Sequence, residues 1–217
     1  MLFPAPVALG QVCLYTTDPH QVVLSTGALD VDFRDHYDAT VLLGNEALDG
    51  GAGGSSPADE IEVQGATVTV EDATGQVVGT FTSTASGFVY GQTGDVPGFG
   101  VTQLTLLDSA TTASIRAGVS ASHSQRVAAH FRVLGTTRGG VPVQTDSFAF
   151  PIDVCQGCLV VFDASDVDPS LPAPNCAKGV GQPSSMAVPC VRGQDTPIDC
   201  AQCQDVPVCR GVAPDGS

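Results

Sequence analysis

No tryptophan occurs among the 217 residues of this chain, and only one of its 8 basic side chains is a lysine, Lys178. Those 8 basic groups stand against 23 acidic ones, a formal charge of −15. A phosphate backbone or an anionic membrane surface would repel such a protein, which argues against nucleic acid as a partner. The charge is spread thinly, charged residues being 14% of the chain, so the acidity reads as a solvated surface rather than a disordered acidic tail. No window approaches the roughly 18 consecutive apolar residues that a membrane-crossing helix needs, and no transmembrane segment is expected. Also missing are G-x-S-x-G, H-E-x-x-H, S-x-x-K and a phosphate-cradling glycine loop, which leaves no ready-made nucleophile, zinc or phosphate motif. The expectation is a protein that is not an enzyme.

The 4 histidines stand in no recognised constellation. His123 is flanked by serines in SASHSQ, and His130 projects from the outer face of its strand beside Arg132. In VDFRDHYDA, His36 lies among Asp32, Asp35 and Asp38. A polar turn accounts for that cluster best; the rival reading is a hydrolase site around Asp35 and His36.

Helix signals are almost absent. From Gln11 to about Asp163 the pattern is period-2 alternation rich in Val, Thr and Phe, the mark of half-buried strands. The inward sets are Ala66, Val68 and Val70, then Val127, Ala129, Phe131 and Val133, then Phe148, Phe150, Ile152 and Val154. Pro151 cannot donate to a ladder, so its strand is expected at an edge or a bulge. EDATGQ and TRGGVP read as hairpin loops with glycine supplying positive φ, and GGAGGSSPADE (50–60) as a flexible surface loop. The segments QVVLSTGALDVDF, HYDATVLLGNEAL, VVGTFTSTASGFVY and VTQLTLLDSA add further strands. Seven or eight strands with close turns imply an all-β fold, an antiparallel immunoglobulin/fibronectin-like β-sandwich. A closed barrel would give the same alternation. The missing tryptophan and mid-domain cysteine pair argue against a true antibody-type domain.

MLFPAPVALGQVC has no basic n-region, yet Ala8 and Gly10 before Gln11 suit the small-residue rule of a signal-peptidase site. Residues 1–10 are therefore read as the remnant of a signal peptide or a disordered N-terminus, 11–163 as the sandwich, and 164–217 as a cysteine-rich, mostly irregular tail. Val12 before Cys13 does not fit a lipoprotein cleavage site.

Seven of the eight cysteines and eight of the fifteen prolines fall in residues 155–217, a segment with too little apolar periodicity to build its own core. Two C-x-x-C pairs, Cys155/Cys158 and Cys200/Cys203, invite a zinc reading, but their separation far exceeds the roughly 15–20 residues of a zinc ribbon. A redox motif of the strand-to-helix kind fails because Cys158 runs into LVVF, which reads as a strand. Disulfides in an oxidised, extracytoplasmic compartment fit best, using Cys13, Cys155, Cys158, Cys176, Cys190, Cys200, Cys203 and Cys209. Eight cysteines allow 105 pairings. Since Cys13 alone is N-terminal, full pairing in a monomer must tie it to the C-terminal set. No cofactor is required. Ca²⁺ is the one that the chemistry would accommodate, at Asp163, Asp166 and Asp168 in FDASDVDPS, although that loop lacks the glycine and closing glutamate of an EF-hand.

SFAFPIDVCQGCLVVF followed by PCVRGQDTPIDCAQC resembles uncharacterised cysteine-rich exported proteins and predicted lipoproteins of the myxobacterial kind, in which a strand-rich body ends in C-x-x-C-L and a G-Q-D…D-C-x-x-C tail. The resemblance runs from about residue 11 onward. It implies export and envelope association and carries no catalytic residues across. The resulting expectation is a non-catalytic secreted or cell-envelope module with a binding or structural role and an unknown extracellular partner. The rivals are the hydrolase already named and a redox protein using its C-x-x-C pairs.

Overall fold

The computed structural model describes residues 1–9, 12–45, 60–92, 97–120, 123–181, 184 and 186–211. The glycine-rich stretch 50–60 lies outside them except for Glu60. Twelve strands are present among the described residues. Val7–Leu9 (β1) pairs antiparallel with Val12–Leu14 (β2). Gly27–Asp30 (β3), Tyr37–Asn45 (β4), Ile61–Asp72 (β5), Val77–Val89 (β6) and Gly98–Leu107 (β7) follow. After the helix Ser109–Arg116 (α1) come Gln125–Thr137 (β8), Pro142–Gln144 (β9), Phe148–Cys155 (β10), Val160–Val161 (β11) and Ile198–Asp199 (β12).

The main sheet runs β3-β10-β8-β5-β6 with β9 attached to β8, and it curls into a half-barrel. The β4–β7 pair continues the curl. β7 runs beside β6, Thr102 Oγ1 donating to the Ser86 carbonyl at 3.2 Å and Thr105 N to Ser83 Oγ at 2.8 Å. The protein is thus mostly β, with several sheets.

Alternation dictates this core directly. Ala66, Val68 and Val70 of β5, Val127, Ala129, Phe131 and Val133 of β8, and Phe150, Ile152 and Val154 of β10 are all buried, because successive strand side chains point to opposite faces. Tyr37 of β4 lies over Gly27, where a Cβ would stand 2.5 Å from its hydroxyl. Gly75 (φ 82°) and Gly140 (φ 84°) close the two expected hairpin loops in the left-handed region. Pro151 is only partly an edge residue. β3 pairs with β10 from Ile152 onward, so Pro151 stands where β8 alone flanks the strand.

Three segments depart from the sequence pattern. VTQLTLLDSA does not continue as a strand to its end: β7 stops at Leu107, and Asp108 caps α1, its Oδ1 accepting from Thr111 N at 2.8 Å. A short aspartate ahead of helical φ/ψ satisfies an orphan N–H, and Ile115 then buries against the sheet. QVVLSTGALDVDF contains only the four-residue β3, with Val22 and Val23 exposed. Residues 1–6 do not form a loose end. Phe3 is 4% exposed and stacks on Phe150 at 3.9 Å between ring centroids, and Leu2 bridges Leu42. An aromatic side chain this well buried contributes about 2–3 kcal/mol relative to exposure.

The C-terminal segment is irregular but tied in. β12 pairs in parallel with β11, and Ile198, Cys203 and Cys209 form a second small core with Phe33, Val160, Val206 and Val208.

Candidate functional site

Four disulfides use all eight cysteines: Cys13–Cys190, Cys155–Cys158, Cys176–Cys200 and Cys203–Cys209. Cys13–Cys190 spans 177 positions and joins β2 to the tail. Neither C-x-x-C pair meets the other, so no four-thiolate zinc centre forms. Cys155 and Cys158 are bonded to each other, while Cys200 and Cys203 belong to different bridges.

The Cys155–Cys158 turn is built around a carboxylate that sequence reading missed. The parallel register sets Cys155 opposite Asp30, and Asp30 is 0% exposed. Its Oδ1 accepts from Gly157 N at 2.8 Å and Asp32 N at 3.1 Å, and its Oδ2 from Leu159 N at 3.1 Å. Burial pushes the Asp30 carboxyl above the usual range even against these three donors. One carboxylate oxygen of Asp30 and the sulfurs of Cys155 and Cys158 lie within 4.8 Å of one another. Cys155 is 3% exposed, with its sulfur 3.5 Å from the Leu29 carbonyl, whereas Cys158 is exposed. The only sequence signal for Asp30 was its place in GALDVDF, a carboxylate in an otherwise apolar alternation.

Around His36, Nδ1 lies 2.7 Å from Asp35 Oδ1 and Nε2 3.2 Å from Asp38 Oδ2. Arg34 Nη2 also meets His36 Nε2 and donates to Asp38 Oδ2 at 3.1 Å. Contacts with His36 and then with the Ser109 hydroxyl hold Asp35 below the usual carboxylate range. Acyl-transfer chemistry needs a nucleophile on an imidazole nitrogen. Here both ring nitrogens face other groups, and the neighbouring hydroxyl, Ser109, binds the carboxylate instead. Asp32, the remaining acid of the cluster, turns toward Gln156 Nε2 at 3.2 Å and Arg116 Nη2 at 3.5 Å. His123 is exposed, and His130 lies half-exposed 3.5 Å from Glu71.

Asp163 and Asp168 each accept from the serine two residues on, whereas Asp166 stands beside Asp199 and Ser165. Asp163 Oδ1 accepts from Ser165 N and Oγ at 2.8 and 2.7 Å, and Asp168 Oδ1 from Ser170 N and Oγ at 2.9 and 2.8 Å. These bonds hold both carboxyls below the usual range. Asp166 is pushed upward, first by desolvation and then by the charge of Asp199. A Ca²⁺ site needs its oxygens converged at about 2.3–2.6 Å on one ion; here one oxygen each of Asp163 and Asp168 accepts from a neighbouring serine, and Asp166 faces Asp199.

The G-Q-D triplet is a latch between tail and sheet. Gln194 pairs with the backbone of Asp38 in β4 through both ends of its amide, Nε2 to the carbonyl at 2.7 Å and Oε1 from the N–H at 3.2 Å. Asp195 accepts from Tyr37 Oη and from Ala28 N at 2.9 Å. At the opposite end of the half-barrel, where β4 ends and β5 begins, Leu43, Ile61, Val63, Val89, Val133 and Val143 line an apolar cavity of about 260 Å³.

No protein-family model matches this chain, and no curated protein is significantly similar to it.

Proposed function

We propose that the protein is a non-catalytic, extracytoplasmic module, secreted or held at the cell envelope, whose β-rich body serves a binding or structural role. The complete pairing of eight cysteines in four bridges carries this reading, because structural disulfides persist in oxidising compartments and staple segments too small to hold a core. No helix among the described residues is long and apolar enough to cross a membrane, which is compatible with release or with anchoring by other means. We read the body as an immunoglobulin- or fibronectin-like sandwich, a scaffold that hosts many binding roles; the single core shared by the half-barrel and the β4–β7 pair supports that reading. The occupied nitrogens of His36 support the binding reading over the hydrolase. The partner is unknown and belongs outside the cytoplasm, and the resemblance to exported cysteine-rich proteins and lipoproteins of the myxobacterial kind points the same way.

The deciding experiment is intact mass with and without alkylation, plus metal analysis, on protein purified natively without reductant. No alkylated cysteine and no zinc is the expected result. Four or more free thiols with stoichiometric zinc would overturn the compartment and the role together.

A further inference from the structure

We propose that the Cys155–Cys158 bridge is a thiol–disulfide exchange site for dithiols, with Cys158 the sulfur attacked, Cys155 the sulfur that leaves, and Asp30 the group that protonates the leaving sulfur. The proposal goes beyond the binding role and does not rest on it. Three observations on one turn carry it.

First, Cys158 is the only exposed cysteine of the eight. The partners in Cys176–Cys200 and Cys203–Cys209 are at most 2% exposed, and Cys13 and Cys190 are half-buried. Exchange begins with a thiolate approaching a disulfide sulfur, so access selects the bridge and the atom. Secondly, the two sulfurs differ in surroundings in the sense the chemistry requires. Cys158 faces solvent, while Cys155 is buried beside the Leu29 carbonyl, which can accept from its S–H once the bridge opens. Thirdly, a fully buried carboxyl stands against the pair. A thiolate released into a buried, apolar position is costly, and a proton donor at that point lowers the barrier to leaving. Burial shifts the Asp30 carboxyl upward, against its three backbone donors, and so toward the protonated form that is able to donate.

The electron and proton balance closes within the named groups. A substrate thiolate attacks Cys158 Sγ and forms a mixed disulfide; the Cys155–Cys158 bond breaks and its electron pair leaves on Cys155 Sγ, which takes the proton of Asp30. The substrate's second thiolate then attacks its own mixed-disulfide sulfur, releasing Cys158 as a thiolate that is protonated from water. The dithiol is oxidised by two electrons to a disulfide, and the bridge is reduced to two thiols. The protons lost by the substrate replace those taken by Cys158 and restored to Asp30 through solvent.

The test uses the whole oxidised protein and limiting dithiothreitol, quenched by alkylation and mapped by peptide mass. Cys155 and Cys158 should be labelled while the other three bridges remain closed, and reduced glutathione should give a trapped adduct on Cys158 alone. Earlier opening of another bridge, or an adduct on Cys155, overturns the proposal. Asp30→Asn then separates the two roles of the carboxyl. A proton donor's loss slows reduction, by about tenfold or more, whereas loss of a merely structural hydrogen-bond acceptor loosens the turn and leaves reduction unchanged or faster. The second outcome removes Asp30 from the chemistry. Because the wild-type mapping needs no variant, misfolding of the Asn variant leaves the exchange site itself testable.

Discussion

The Tyr37 hydroxyl lies 2.9 and 3.0 Å from the two carboxylate oxygens of Asp195, joining the first long strand of the body to the last cysteine-rich segment of the chain. Asp195 sits at φ 61°, the one described non-glycine residue with positive φ, and Gln194 Nε2 supplies a further donor at 3.2 Å. Burial lifts the Tyr37 hydroxyl above its ordinary pKa, with the Asp195 charge adding to the effect. Tyr37 therefore stays protonated and acts as a permanent donor. The tail is thus fastened by a polar contact whose satisfaction depends on both ends being in place, since an orphaned buried acceptor costs about 1–3 kcal/mol.

A pH signature should accompany this latch. Burial raises the Asp195 carboxyl above the usual 3.8, outweighing its three kinds of hydrogen-bond donor. A raised folded-state value means a stabilising contribution that is full below the unfolded value and is lost as pH rises through the folded one. The stability of the wild type relative to Asp195→Asn should therefore fall as pH climbs from about 4 toward neutrality, as read from urea midpoints across the range. Asparagine tolerates positive φ, so the comparison isolates the charge. A gap that widens in favour of the wild type with rising pH would mean that the donors outweigh desolvation.

Gly193, the first residue of the latch, has φ 76°, and a Cβ there would lie 2.3 Å from Phe33 Cβ. Gly193→Ala should cost about 1–3 kcal/mol in chemical denaturation from backbone strain and the clash. Gly140→Ala is the control: φ is 84° but nothing lies within 4 Å of the added carbon. Its cost should be smaller, and equal losses would sink the steric part of the argument.

How much of this was legible in the sequence depended on the range of the interaction. Val68 with Val70, and Phe131 with Val133, announced their buried face through alternation, because a strand's facing is written locally. The turns at Gly75 and Gly140 were legible for the same reason. The role of Gln194 and Asp195 was not, since their partners at Asp38, Tyr37 and Ala28 are about as far away in sequence as the fold allows and leave no periodic trace. Asp30 was hidden likewise: its meaning comes from the β3–β10 register, a long-range pairing. SATTASIR concealed its helix behind two threonines and an isoleucine, which favour strands, and only Asp108 marked the cap.

That cap offers a compact test. Asp108→Ala removes the acceptor of Thr111 N and should destabilise the protein by about 0.5–2 kcal/mol. Asp108→Asn should retain most of the stability. If alanine and asparagine behave alike in thermal or urea melts, the cap is energetically idle.

Replacing Cys13 and Cys190 together by alanine should lower stability by about 2–5 kcal/mol while leaving the β content intact by circular dichroism. The loop closed by this bridge, 177 positions, is the longest of the four, so its removal should cost more than the double replacement of Cys203 and Cys209, which are 6 apart. The reverse order in denaturant midpoints would show that local packing in the tail outweighs chain entropy.

The Cys13–Cys190 bond also decides how the molecule carries load. Tension applied before residue 13 and after residue 190 passes from sulfur to sulfur, and the 177 positions between them are bypassed. Pulled from beyond residue 200, the oxidised body cannot unravel, and with the Cys176–Cys200 bridge still closed the bond conceals roughly 50 nm of contour length, taking about 3.4 Å per extended residue. Reduction of that single bond would convert an inextensible link into a long tether.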